Sequence, residues 1–393
     1  MYNPSLTSLA SRAPAAEPTP ILLAADTHFS ALAAVRALRA AGYAPWLAVH
    51  VPRTYAARSR ATAGTVLVPD PSLDGGGFVR EVAAAAVRLS VPVVLPSAET
   101  TLLTLAGREA DFAGIALGAP SREKVELIMN KGRLPELAKA AGLQTPPTAK
   151  IVPGDSKTVG TFGFPAILKP QRSQFRYPDG TVSGSSRYIS ASSVEEALQA
   201  LPGGEGFVQP YIPGSLISIS GVSWGGELIC ALHQLSIRIW PVPTGGSSYA
   251  ETIPPDAELE QKVGRLLQMI GWSGIFQAQF IRDPRGEHHL IDLNPRVYGS
   301  LALAVAAGLN LPGIWADLLL GRRPNVGGYR IGKRFRNEDK DIHSLARMLM
   351  DGDLRHAFRG LVPRRGTTYA VFSIYDPMPL LTVVETLVKR LRR

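Results

Sequence analysis

The sequence has little cysteine, no long apolar run and no signal-peptide pattern. Cys230 is the single cysteine among 393 residues, which excludes an internal disulfide and a thiolate metal cluster. No apolar run approaches the roughly 20 residues that span a bilayer, and residues 1–20 lack the continuous apolar segment of a signal peptide. We therefore expect a soluble, cytoplasmic protein with no membrane span, in which residues 1–20 form a flexible tail.

A glycine-rich phosphate turn is also missing from the first α/β unit. Short apolar runs alternate with alanine-rich amphipathic segments through residues 21–120, which predicts a small Rossmann-like domain with a parallel sheet. The first strand, 21–25, is followed by Asp26-Thr27-His28-Phe29-Ser30, without the glycines that let a dinucleotide approach the backbone. This turn disfavours nicotinamide cofactors.

The positive charge is concentrated near the C-terminus. Of a net charge of +10, residues 322–393 contribute +9, from 16 Lys/Arg against 7 Asp/Glu. Such a region could attract nucleic acid, anionic lipid or an acidic substrate, or simply form a solvated surface. It lacks interleaved aromatic residues and any nucleic-acid motif, so nucleic acid is a disfavoured partner.

Residues 121–322 have a different texture, in which β-strands dominate. Predicted strands cover 164–169, 187–190, 206–212, 215–223, 227–239, 274–281 and 288–293. Helices at 192–201 and 256–271 interrupt them, which indicates an α+β fold with antiparallel hairpins. Two other motifs fit poorly: Gly221–Gly225 matches a nucleophile elbow but is followed by a strand, and Gly327–Arg334 lacks the Ser/Thr of a phosphate loop.

The chemically informative segment is the hairpin at 274–296. Asp292 and Asn294 are two residues apart on a predicted strand, so both project to one face, and Gln279 lies on the preceding strand. One carboxylate and two amide oxygens suit Mg²⁺ when phosphates supply the other ligands. Arg296 follows and could hold a transferring phosphoryl group. The same Asp-x-Asn-Pro pattern is also ordinary turn chemistry at a strand end.

Four ordered motifs over residues 120–322 resemble the ATP-grasp superfamily. Gln279, Asp292, Asn294 and Arg296 are similar to its metal signature, in the variant of carbamoyl phosphate synthetase large subunits, with Asp292 where Glu is usual. Asn130-Lys131, Phe164–Pro170 and Gly206–Gly214 resemble, in order, the opening of the fold, the strand of the second ATP lysine and the adenine hinge. Leu216 stands where the family often has an acidic residue for the ribose.

The resemblance implies both a fold and a nucleotide site. The fold class is α/β and α+β: a Rossmann-like domain (21–120), two ATP-grasp lobes (121–205 and 206–322) and a basic C-terminal extension (323–393). Lys131 and Lys169 would neutralise the ATP phosphates as point charges. The residues implied to bind ATP are Lys131, Lys169, Ser183, Gly184, Ser185, Ser186, Gln209 and Tyr211.

A second candidate catalytic arginine lies outside the metal signature. Arg238 is on a predicted strand before the Gly245–Ser248 segment, which we predict to be a loop. This position in the sequence would let it meet an acidic substrate or its acyl phosphate. A surface arginine on a strand is the alternative.

The resemblance implies an ATP-dependent carboxylate–amine ligase that forms an amide bond through an acyl phosphate. The cofactors would be ATP and Mg²⁺, with two ions expected and Mn²⁺ as a substitute; the partners would be a small carboxylate and an amine, such as amino acids. A homodimer is compatible with this interpretation. The alternatives are a biotin-carboxylase-like or carbamoyl-phosphate-type enzyme that uses bicarbonate, and a non-catalytic ATP-binding or nucleic-acid-binding module.

Overall fold

The computed structural model describes residues 17–171, 175–176, 182–183, 186–201, 204–362, 364–383 and 385. Most of the predicted tail, 1–16, lies outside these residues, as do Gly184 and Ser185. No single helix in the described part of the chain is long and apolar enough to cross a membrane; two helices, Leu301–Ala307 and Leu311–Leu319, pass only together, across an 89° bend.

The first sheet is parallel and has the predicted Rossmann-like arrangement. Its strands, in the order β3-β2-β1-β4-β5, are β1 (Pro20–Ala24), β2 (Ala44–Val49), β3 (Gly64–Leu67), β4 (Val93–Pro96) and β5 (Ala116–Leu117). The connecting helices are α1 (Ser30–Ala40), α2 (Gly75–Arg88), α3 (Glu99–Leu105) and a 3₁₀ helix (Glu109–Phe112). β1 is almost fully buried because helices cover both faces of such a sheet.

A four-stranded antiparallel sheet follows two connecting helices, α4 (Arg122–Met129) and α5 (Leu134–Ala140). Its strands, in the order β10-β7-β11-β6, are β6 (Ala149–Ile151), β7 (Ala166–Pro170), β10 (Arg187–Ile189) and β11 (Gly206–Pro210). Helices α6 (Ser156–Gly160) and α7 (Val194–Gln199) accompany it, and β8 (Phe175–Arg176) pairs with β9 (Val182–Ser183). Because β11 belongs to this sheet, the sheet continues past the predicted lobe division at 205/206.

The third sheet has seven strands in the order β16-β15-β12-β13-β14-β17-β18. They are β12 (Ser215–Trp224), β13 (Glu227–Trp240), β14 (Gly246–Ile253), β15 (Gly274–Arg282), β16 (His288–Asn294), β17 (Arg334–Arg336) and β18 (Thr367–Tyr369). The helices are α8 (Ala257–Ile270), α9 (Leu301–Ala307), α10 (Leu311–Leu319), α11 (Glu338–Met350) and α12 (Leu354–Leu361). The Gly221–Gly225 motif ends in the tight turn between β12 and β13, as predicted.

One sequence expectation about this sheet is corrected. The predicted loop at Gly245–Ser248 is largely strand, because β14 begins at Gly246 and pairs with β13. The basic extension supplies one edge of the sheet, since β17 pairs with β14 and β18 pairs with β17. The pairings of β17 with β14 and of β18 with β17 could not be predicted locally, since these strands are short and their partners lie far away in sequence.

Candidate functional site

A cavity of about 370 Å³ is lined by residues of the second and third sheets, of the segments that follow β1 and β4 of the first sheet, and of α11. The sequence-predicted residues that line it are Lys131, Lys169, Ser186, Gln209, Tyr211, Gln279, Asp292, Asn294 and Arg296. The fold therefore gathers side chains from positions 131 to 296 in one place. Of the other predicted residues, Gly184 and Ser185 lie outside the described chain, and for Ser183 the structure describes the backbone alone, in β9.

Four oxygen-bearing side chains share one face of the β15–β16 hairpin. Gln279 is opposite Asp292 and Gln277 is opposite Asn294, so the strand register brings all four to the cavity side. The Asn294 amide nitrogen is 3.4 Å from Gln279 Oε1 and 3.3 Å from Asp292 Oδ2. Gln277 was missed from the sequence, although its two-residue spacing from Gln279 would have predicted it.

A tight turn and a bulge set the geometry of this hairpin. Asp283 Oδ1 accepts hydrogen bonds from the amides of Arg285 and Glu287, which closes the turn. The register then shifts between Gln279 and Phe280, so that Ile291 has no partner residue. Its carbonyl oxygen instead accepts a 2.6 Å hydrogen bond from Lys169 Nζ. Through this bulge, Lys169 on β7 of the second sheet is hydrogen-bonded to β16 of the third sheet, the strand that carries Asp292 and Asn294.

Lys169 is 8% exposed, and the pKa of its ammonium group is lowered to about 8. Burial is the main cause; the Asp292 carboxylate opposes it and the positive charge of Lys131 adds to it. Lys131 itself follows α4 in a turn closed by the Asn130 side chain, which accepts from the Gly132 amide at 3.0 Å. The two lysines are thus close enough to act on one polyanion.

We expect nucleotide affinity to fall as the pH rises through about 8. Lys169 is protonated below its folded-state pKa and neutral above it, so the attraction for the ATP phosphates weakens on the alkaline side. Lys169→Ala should weaken binding about tenfold or more at pH 7. Calorimetric titration with Mg²⁺-ATP between pH 7 and 9.5 measures both effects.

Lys169→Arg is the matched control, because a guanidinium group stays charged throughout this range. Its affinity should no longer decline above pH 8. A wild-type affinity that is independent of pH, or an unchanged affinity in Lys169→Ala, would contradict the assignment of this lysine to the phosphates.

Part of the cavity lining is apolar. Ile167, Leu216 and Ile281 line it together with the hinge residues Gln209 and Tyr211. The Gln209 amide nitrogen donates to Thr148 Oγ1 at 2.9 Å, and the Tyr211 backbone amide donates to Pro165. An apolar slot beside a connecting segment suits a flat heteroaromatic ring such as adenine.

Arg296 is held at the edge of the oxygen cluster, the name used here for the side chains of Gln277, Gln279, Asp292 and Asn294. Its Nη1 donates to the Val297 carbonyl at 3.0 Å and its Nη2 to Asn294 Oδ1 at 3.4 Å. Its buried Nε has no hydrogen-bond partner among the described residues. The guanidinium is therefore positioned beside the metal-type oxygens and keeps a donor for a ligand.

Arg238 is not brought to the cavity. Its guanidinium forms a two-point ion pair with Asp341, at 2.7 and 2.8 Å, and lies 4.3 Å from the centre of the Tyr249 ring. The Asp341 side chain is 1% exposed and also pairs with Arg336 at 2.6 Å. The predicted catalytic role is therefore not supported, because Nε and Nη2 of Arg238 both donate to the buried carboxylate of Asp341 on α11.

A group of polar residues at the ends of two strands of the first sheet was not predicted from the sequence. Asp26, His28 and Ser30 follow β1, and Ser97 follows β4; all four line the cavity. β1 and β4 are adjacent, and the chain order reverses between them, so the crevice at their carboxyl ends is a topological switch point where α/β sheets bind ligands. The missing glycines argued against a dinucleotide, but the switch-point rule could still have identified Asp26, His28, Ser30 and Ser97 as candidate ligand-binding residues.

The donor set fits a magnesium ion that is shared with a polyphosphate. Asp292 is the one carboxylate, and the amide oxygens are neutral, hard ligands. Among the described residues no cluster of three His, Cys, Asp or Glu side chains could hold a metal by itself. Ions would thus be held by Gln279, Asp292 and Asn294 mainly when phosphate oxygens complete the shell.

Part of the chain matches a family by sequence. Residues 205–338 match the model of the family described as ATP-grasp in the biosynthetic pathway with Ter operon. This segment includes β11, the whole oxygen cluster and the first residue of α11. A search of curated protein sequences found no match.

Several solved structures share the fold at low sequence identity. The L-amino acid ligase from Bacillus licheniformis is 14% identical with a TM-score of 0.62, and the match covers 81% of this chain and 78% of that one. The biotin carboxylase domain of the Hydrogenobacter thermophilus 2-oxoglutarate carboxylase, in complex with MgADP and bicarbonate, is 15% identical with a TM-score of 0.60, covering 80% and 73%.

A third neighbour is the N5-carboxyaminoimidazole ribonucleotide synthetase from Thermus thermophilus, at 19% identity and a TM-score of 0.59, covering 80% of this chain and 81% of that one. Each of these structural matches extends over far more of the chain than the segment 205–338. The chain therefore has the ATP-grasp fold, and its residues 205–338 match an ATP-grasp family.

Proposed function

We propose that the protein is an ATP-dependent carboxylate–amine ligase that forms an amide bond through an acyl phosphate. One observation supports this proposal most strongly. A single cavity contains two lysines suited to phosphates, a cluster of side-chain oxygens suited to magnesium, and the polar residues at the switch point between β1 and β4. The first two sets suit Mg²⁺-ATP, and the third offers room for an organic substrate beside the γ-phosphate.

Phosphoryl transfer needs positioning and charge neutralisation more than covalent participation of the protein. Lys131 and Lys169 would hold the phosphates, and magnesium, when bound at Gln279, Asp292 and Asn294, would neutralise charge on the transferring group. A carboxylate oxygen of the acid substrate attacks the γ-phosphorus, and the bond to the β–γ bridging oxygen breaks to release ADP. Arg296 lies beside Asn294 and would stabilise the equatorial oxygens.

Amide formation follows at the same place. The amine attacks the acyl carbon, the carbon–oxygen bond to phosphate breaks, and the amine proton passes to phosphate or water. A closed cavity limits hydrolysis of the acyl phosphate before the amine arrives.

A pairwise panel of amino acids tests the proposal. The purified chain with Mg²⁺-ATP should release ADP and phosphate only when a matching acid and amine are both present, and mass spectrometry should detect the amide. One of the similar structures, the biotin carboxylase domain, was solved in complex with bicarbonate, which makes bicarbonate the competing acid. ¹⁴C-bicarbonate incorporation without amide product would support that alternative and contradict the ligase proposal.

A further inference from the structure

Lys340 is a cavity-lining cation that comes from the C-terminal region. It lies in the first turn of α11, where its backbone amide donates to the capping side chain of Asn337 at 3.1 Å. Its side chain reaches the cavity beside Gly246, where a Cβ atom would be 3.5 Å from Nζ. The basic extension thus contributes directly to the site.

The surroundings of Lys340 leave its charge poorly compensated. A cation in the first turn of a helix faces the positive end of the helix dipole, which is unfavourable. The acidic residues of that turn are largely committed elsewhere: Glu338 accepts from the amides of residues 370–372, and Asp341 pairs with two arginines. Asp339 alone favours the charged form, and burial lowers the pKa of Lys340.

The switch-point residues on the facing side complete a mixed-charge corner. The His28 amide donates to Asp26 Oδ1 at 2.9 Å, and His28 Nδ1 accepts from the Ser30 amide at 3.2 Å. Because Nδ1 is the acceptor in this contact, the ring carries a proton on Nε2, which is free to donate to a ligand. Ser97 is 2% exposed, and its hydroxyl has no partner among the described side chains and backbone.

This corner and the nucleotide end have distinct electrostatics. Lys131 and Lys169 serve the phosphates, and Arg296 stands beside the oxygen cluster where the γ-phosphate would react. Two charged residues of the cavity lining, the cation Lys340 and the anion Asp26, then have no assigned role. Both lie near His28, because the charge of each shifts the pKa of that histidine. A molecule that carries an ammonium and a carboxylate group complements this pair.

We propose that Lys340 is a specificity-determining residue that binds a carboxylate of the amine substrate, one that the reaction does not consume. Asp26 attracts the ammonium group as the molecule enters, and His28 Nε2 and the Ser97 hydroxyl supply hydrogen bonds. Because Arg296 and Lys340 both act on His28, an amine held in this corner would lie next to the reacting acyl group. This inference rests on the proposed ligase function and makes the amine substrate an amino acid.

The test compares an amino acid with its carboxamide as the amine, starting with L-alanine and L-alaninamide and using the acid found in the pairwise panel. The wild type should prefer the free carboxylate. Lys340→Gln should lower kcat/KM for the amino acid about ten- to a hundredfold through KM, and should leave the carboxamide within about twofold, so that the preference disappears.

Controls separate this role from a structural one. Lys340→Arg keeps the charge and should retain most of the preference, and Lys333→Gln removes a neighbouring lysine that does not line the cavity and should change nothing. Mg²⁺-ATP affinity, measured by calorimetry, should be the same in all variants. If Lys340→Gln does not fold, the wild-type comparison and Lys340→Arg still decide.

Three results would overturn the inference. The first is an equal wild-type kcat/KM for the amino acid and the carboxamide, and the second is a preference for the amino acid that survives in Lys340→Gln. The third is a loss of kcat/KM in Lys340→Gln that depends on a second carboxylate of the acid substrate instead of the carboxylate of the amine. Each assumes normal amide formation by the wild type. Complete absence of ATP-dependent amide formation would instead contradict the proposed function.

Discussion

Asp292→Asn should abolish turnover while leaving the fold intact. The change keeps the volume of the side chain but removes the single anionic ligand in a set whose other members are neutral amides. Asp292 lies at the cavity, where its Oδ1 accepts from the Leu293 amide at 3.1 Å, a contact that the Asn side-chain oxygen can keep. We expect phosphate release to fall by about three orders of magnitude or more.

Asp351→Asn is a suitable control, since Asp351 is an exposed carboxylate just after the C-terminal end of α11 that pairs with Arg347. Its turnover and melting temperature should match the wild type, and Asp292→Asn should match it in melting temperature alone. Substantial turnover in Asp292→Asn at ordinary magnesium concentration would mean that the ion is held elsewhere.

Arg296→Ala should suppress formation of the acyl phosphate with little effect on ATP binding. A carboxylate is activated when phosphorylation makes its oxygen a good leaving group, and the charge that develops on the phosphoryl oxygens needs a fixed cation. Arg296 is held by Val297 and Asn294 and keeps a free Nε donor among the described contacts. Losing such a donor costs about 2.7–4 kcal/mol, or roughly a hundred- to a thousandfold in rate.

Hydroxylamine in place of the amine measures this step, because it traps the acyl group as a hydroxamate. Wild-type protein should form hydroxamate only with ATP and the correct acid, and Arg296→Ala should form very little. Arg285→Ala, which changes an arginine in the exposed hairpin turn, serves as the control. If the wild type gives amide but no hydroxamate, and releases pyrophosphate, the reaction passes through an adenylate and the mechanism is wrong.

The parts of the site that were predictable are local in sequence. Strand periodicity predicts that Asp292 and Asn294 share a face, and the short turn predicts that the strand of Gln279 lies beside them. The strands themselves were predictable from apolar runs bounded by glycine and proline. The fold class followed from the switch between alternating α/β units and hairpins, and the structure confirms it.

The parts that were not predictable depend on long-range packing. Arg238 and Asp341 are 103 positions apart, and nothing near either residue indicates that they pair. Lys340 was hidden in a region whose charge suggested an ordinary basic surface. The Ile291 bulge is a third example, because a one-residue irregularity leaves no compositional trace, yet it decides where Lys169 points.

The contacts of Asp376 with the first α/β unit have a consequence for how this protein can be recombined. Asp376 accepts hydrogen bonds from Arg36 at 2.9 Å, from Ser59 at 2.6 Å and from the Arg60 amide at 3.0 Å. The last described segment is thus fastened to the first α/β unit, after β17 and β18 have completed the sheet of the oxygen cluster. A chimera joined at residue 322 would expose the β14 edge and leave Arg238 without Asp341. Grafts that aim to exchange substrate preference should therefore move the N-terminal unit and the C-terminal region as a matched pair.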